Sequence, residues 1–230
     1  MENIDNLVVA FDYIKENFNL NIFNYNDKQM KEYNKLLDIF VNTNSGNYST
    51  SEKGKSLERL VKYLIDQTGV FEVYGNVRTK TNELDQLIRC NEKGKFLVSN
   101  GLFSDKFKNF IGECKNHKSH VSVTYVGKVC SLLSTTQNKL CLLFSYNGIT
   151  GSGWNYGAGI VKKFYLSKEK LDDRYCIIDF NIKDFEKIKE GNNLIKIVED
   201  KMLALQNDVD YSKFVKSHDC EQKIQEMQNC

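Results

Sequence analysis

Proline is absent from this sequence, and asparagine, lysine and isoleucine are abundant, a trait of composition that carries no function. Also missing is any uninterrupted apolar run near the roughly 20 residues that a helical membrane span requires. The opening residues, MENIDNLVVAFDYIKENF, mix acidic with apolar side chains and lack the basic start and continuous apolar centre of a secretory signal. Seven cysteines, an odd number, stand at 90, 114, 130, 141, 176, 220 and 230 without one CxxC pair. Several lie inside apolar runs, where thiols behave as small hydrophobes, so the expectation is a protein of the reducing cytoplasm. No segment repeats. The glycine-rich NGITGSGWNYGAG at 147–159 lacks the terminal GK[ST] of a phosphate-cradling loop, and reads first as a strand-to-helix connection.

What is present is enough for one sizeable core: 230 residues at 41% hydrophobic content. The formal net charge of +2 hides an uneven distribution. Residues 1–51 hold four Lys/Arg against seven Asp/Glu, residues 52–170 nineteen against ten, and residues 171–230 nine against thirteen. The middle segment carries the electrostatic footprint of a polyanion partner, although a solvated lysine-rich surface would give the same pattern.

Leu7, Phe11, Ile14 and Phe18 recur at helical spacing, as do Met30, Tyr33, Leu36, Leu37 and Phe40 after the turn-like NYND. Two N-terminal helices are predicted, followed by a polar linker over 42–51. A helix beginning at Ser51 carries Leu57, Leu60, Val61, Leu64 and Ile65 on one stripe, with Glu58 bordering the core. VFEVYGNV and ELDQLIRC read as strands, and EKGK at 92–95 as a turn into FLVSN. The strand FIGECKN, a helix over 123–136, the continuous apolar strand KLCLLFSY, a helix to about Leu166 and the strand RYCIIDFN follow. Helices broken near Gly191 and a polar tail from Asp208 complete the chain. Clustered strands followed by strands alternating with helices predict an α/β/α sandwich around a mixed sheet. The predicted organisation is an N-terminal helical extension and linker (1–51), a core (52–181), and C-terminal helices with a tail (182–230).

Burying charge without a partner is costly, so FIGECKN raises the question of what its Glu113 and Lys115 meet. Even spacing sends both to one face of the strand and Cys114 to the other. With Asp85 on a neighbouring strand and Glu58 at a helix edge, the set suits a hard divalent cation, which takes oxygen ligands and keeps several waters. Such a cation lowers the pKa of bound water and offsets charge developing on a phosphate, and a lysine alongside can contact that phosphate. A structural salt-bridge cluster is the competing explanation.

In these residues the chain resembles the PD-(D/E)XK nuclease superfamily, and within it the Mrr-like restriction endonucleases, whose pattern is a helix glutamate, a strand aspartate and an E-C-K tripeptide. The resemblance covers about residues 54–180. GKSLERLVKYL supplies Glu58, NELDQLI supplies Asp85, and FIGECKN supplies Glu113 and Lys115. Leu84 stands where the superfamily motif has its proline. The resemblance implies a restriction-endonuclease-like fold and Mg²⁺-dependent cleavage of DNA, Mn²⁺ substituting. It implies Asp85, Glu113 and the Cys114 carbonyl as metal ligands, Glu58 as an auxiliary ligand or one that binds through water, and Asp85, Glu113, Lys115 and Glu58 together as the catalytic set. It also implies a role in defence against foreign DNA. Its rivals are a Holliday-junction resolvase or repair nuclease, and a non-catalytic DNA-binding module of the same fold.

Other signals weigh less. Cys114, His117 and His120, with His218 and Cys220, lack the paired spacing of structural zinc, and a buried Cys114 makes a poor nucleophile. Gln137 offers an assisting side chain from the end of the preceding helix. Trp154, Asn155 and Tyr156 mark a loop suited to DNA or dimer contact. The acidic N-terminal helices suit dimerisation, a partner protein or core capping better than a phosphate backbone. Leu194, Ile197, Val198 and Met202 form a second candidate contact surface for a homodimer or partner.

Overall fold

A computed structural model of the chain describes residues 9, 12–78, 83–116 and 118–209. Residues 12–17 are helical and a 3-10 turn spans Leu20–Phe23. Helix α1 occupies Asp27–Ser45, with Asn26 and Gln29 in a reciprocal capping box. Helix α2, Thr50–Gln67, opens in the same way: Ser49 and Glu52 satisfy each other's orphan N–H groups. The cap is therefore Ser49, not the predicted Ser51, and the predicted ten-residue linker contracts to the four residues 46–49.

Strands β1 (Phe71–Arg78) and β2 (Glu83–Cys90) form an antiparallel hairpin. Helix α3 (Glu92–Ser99) replaces the turn predicted at EKGK. Its start is fixed by the Asn91 side chain, which accepts from Gly94 N. A Cβ on Gly94 would lie 2.4 Å from the Val70 carbonyl oxygen, so this glycine permits close packing and does not mark a turn. Beyond it come β3 (Asn109–Lys115), α4 (Val123–Thr136), β4 (Leu140–Ser145), α5 (Tyr156–Leu166), β5 (Cys176–Phe180), α6 (Ile182–Lys189) and α7 (Leu194–Asn207).

The five strands lie in chain order in one mixed sheet. β1–β2 and β2–β3 are antiparallel, while β3–β4 and β4–β5 are parallel. Alternating side chains divide the core into two layers, as the period of a strand requires. Phe110, Cys114, Leu142, Phe144 and Phe180 join the layer under α1, α2, α6 and α7. Ile111, Cys141, Leu143 and Ile177 join the one under α4 and α5. The chain is thus an α/β/α sandwich. Each large apolar side chain fully buried in it contributes about 1.5–3 kcal/mol, and β4, buried at every position between β3 and β5, supplies side chains to both layers.

The termini differ from their sequence reading. Leu194, Ile197 and Val198 are buried, with Met202 partly so, in the main core; they cover the sheet and do not form an open contact face. Helix α1 is a wall of the same core, and Tyr33 donates from α1 to the Phe185 carbonyl of α6 at 2.6 Å. Phe18 packs edge-on against Phe103, ring centroids 6.4 Å apart, whereas Ile14 is exposed. Leu7, Phe11, His117, His218 and Cys220 lie outside the described residues. No described helix is long and apolar enough to cross a membrane.

Candidate active site

The ladder between β2 and β3 runs from Arg89–Asn109 to Gln86–Gly112 and stops there. A Cβ on Gly112 would come within 2.9 Å of Gln86 Oε1 and 3.0 Å of Ile88 Cδ1, so glycine lets β2 side chains cross the strand at the last pair. One step further, the strands part. Leu84 lies in the α4–α5 layer although Ile88, of the same parity, lies in the other, which marks the twist.

Asp85 occupies this fork. Its Oδ2 accepts the Cys114 backbone N–H at 3.0 Å, and its own N–H makes a long bond of 3.4 Å to Glu113 Oε1. Two carboxylates therefore meet where a ladder bond would otherwise form. Glu113 is wholly buried, and its second oxygen accepts a short hydrogen bond from the Tyr125 hydroxyl. Burial raises the Glu113 pKa first and the Asp85 charge raises it further; the Tyr125 hydroxyl and Lys128 act in the opposite direction. Neither carboxylate has an ion-pair partner among the described residues.

Lys115 emerges on the same side as Glu113, its Nζ 4.6 Å from the centre of the Tyr125 ring. Lys128, one turn along α4, approaches the same ring at 5.4 Å. The Cys114 side chain points into the main core, where burial and then the surrounding acids push its thiol pKa well up, so it is no nucleophile.

Glu58 departs from its predicted place. It is exposed on a cleft of about 470 Å³ between α2 and the hairpin, lined also by Lys55, Arg59, Asp85 and Gln86. The hairpin stands off from the helix there, so the position that periodicity assigns to the core border faces solvent. Gln86 is buried on the cleft wall with its Oε1 unpartnered. Among the described residues no three His, Cys, Asp or Glu side chains lie close enough to hold a metal as a side-chain cluster. Two carboxylates and one main-chain carbonyl nonetheless fit a Mg²⁺-type ion, which takes one or two carboxylates and retains water. The approach of Asp85 to Glu113, with no ion-paired cation at either among the described residues, fits it as well.

Gln137 is not part of this site. It caps α4 at the C-terminal end in the left-handed conformation (φ 58°), lining a separate pocket with Lys108 and Asn109 at the opposite end of β3. The helix start faces the carboxylates. Tyr125, which sequence reading missed, lies in its first turn under the Ser122 cap. Its signal was the helical phase it shares with Val129 and Leu132.

The glycine-rich loop has a structural role in placing α4. Asp179 accepts from Ile149 N at 3.2 Å, and Ile149 pairs with Val121, the residue before the cap. Trp154 donates to Asp208 at 3.2 Å, with Lys162 over its ring. Comparisons of the chain with protein-family models, curated proteins and solved structures return no match.

Proposed function

We propose that the chain is a metal-dependent endodeoxyribonuclease of the PD-(D/E)XK type. The observation that carries this reading is the fork: Asp85 and Glu113 converge where β2 leaves β3, with Lys115 on the side of Glu113 and no cation paired to either acid. Asp85, Glu113 and the Cys114 carbonyl would hold Mg²⁺ or Mn²⁺, with Glu58 reaching it through water. When bound, the ion supplies an acidified water and neutralises charge on the phosphate. Lys115 presents its ammonium to a nonbridging phosphate oxygen and orients the attacking water. Exposed Lys55 and Arg59 on the cleft wall, neither ion-paired among the described residues, suit a strand's phosphates. The sequence resemblance adds a role in cytoplasmic defence against foreign DNA. Cutting both strands of an antiparallel duplex calls for a homodimer or a partner protein.

The test is incubation of purified protein with supercoiled plasmid, with and without Mg²⁺ or Mn²⁺, beside Asp85→Ala. Metal-dependent nicking or linearisation, lost in the variant, is the expected result. Equal cleavage by both proteins, or none by the parent under any metal, overturns the reading.

A further inference from the structure

Tyr125 touches both charged residues of the E-C-K strand. Its hydroxyl donates to Glu113 Oε2, leaving Oε1 facing Asp85, while the face of its ring lies under the Lys115 ammonium. One rigid side chain with two torsions thereby sets where the carboxylate and the ammonium stand relative to each other. The phenol is itself fixed, since its backbone N–H is capped by Ser122 and the helix start is tied through Val121 to Ile149 and Asp179. Lys128 approaches the same ring at 5.4 Å, so the ring faces two ammonium groups, the nearer being that of Lys115.

Resting on the nuclease reading, we propose that Tyr125 is a positioning residue: its hydroxyl aims Glu113 at the metal, and its ring holds Lys115 over the scissile phosphate. A donor that orients a ligating carboxylate typically accounts for 10–100-fold in metal affinity or activity. Cation–π contact with the ring adds a preferred place for the lysine without a bond that phosphate would have to break.

Tyr125→Phe removes the hydroxyl and keeps the ring; Tyr125→Leu removes both. Mn²⁺ binding by calorimetry, steady-state cleavage of a DNA duplex and thermal melting are measured on parent and variants. Tyr125→Phe should bind Mn²⁺ at least about 10-fold more weakly, with the KM for DNA unchanged and the metal-free melting midpoint lowered only by the loss of one buried hydrogen bond, the variant staying folded at the assay temperature. At saturating Mn²⁺, Tyr125→Leu should show a lower kcat than Tyr125→Phe. If the parent binds and cleaves while Tyr125→Phe binds Mn²⁺ equally well, the inference fails and the nuclease reading stands. Equal kcat in the two variants at saturating metal removes the role of the ring. A loss that follows the melting midpoint assigns Tyr125 to the fold alone and overturns the proposal. A parent that binds no Mn²⁺ overturns both.

Discussion

Two buried carboxylates in this molecule are treated in opposite ways. Asp184, at the start of α6, accepts from Asn181 N at 2.8 Å and from the Lys201 ammonium at 2.5 Å, so its charge is met by a cation and a backbone donor. Glu113, buried more completely, is given a phenol, a long backbone bond and another carboxylate. Burial in a low-dielectric interior costs both charges several kcal/mol. Asp184 shows how this chain compensates a charge that serves the fold. Glu113 lacks that compensation, and the deficit is what a divalent cation would supply.

The sharpest way to break the contrast is to neutralise each acid. Glu113→Gln retains an acceptor for Tyr125, and plasmid cleavage should fall to background while the fold persists. Asp184→Ala should leave the active-site residues intact but cost about 1.5–3 kcal/mol in urea denaturation, because it removes the buried acceptor that Asn181 N and the Lys201 ammonium share. Variants that exchanged these outcomes would reverse the assignment of roles.

A smaller effect concerns pH. The folded-state pKa of Glu113 is raised, so folded protein holds that proton to higher pH than unfolded chain does. Its contribution to stability is fully present below the unfolded value of about 4.3 and is lost as pH rises through the folded one. In chelator, parent stability should therefore decline across that window relative to Glu113→Gln. Added Mn²⁺ should reduce the parent's decline. Parallel urea midpoints for the two proteins in chelator would show that Glu113 carries no such penalty. Glu199, whose pKa burial and then Asp200 push up to about 7, titrates with the same sign in both proteins and cancels in the difference.

The smallest effect should come from Gln137→Ala. At the far end of α4, this side chain should change cleavage by no more than about twofold, as expected of a surface substitution. A loss of orders of magnitude would place it in the site after all.

Much of this arrangement was legible in the sequence because periodicity reports burial. The run KLCLLFSY, too short for a long helix, has the pattern of a strand covered on both faces, and the parity of Glu113, Cys114 and Lys115 placed each on its proper side. Periodicity is silent about what a gap in the packing does. Glu58 sits at the predicted helical phase, yet the hairpin stands away from it. Gly94 looked like a turn because local propensity does not register the Val70 carbonyl beside it. The helical phase of Tyr125 marks its inward face, but not its place beside Glu113, which depends on which end of α4 meets β3.

The fork at Asp85 also gives the sheet a built-in reporter. The Cys114 amide is held by a side chain where its neighbours in β3 are held by strands. Its hydrogen–deuterium exchange therefore measures how long the Asp85 carboxylate stays seated, independently of unfolding of the sheet. Anything that draws that carboxylate away will first be felt as a lost lock on one backbone proton.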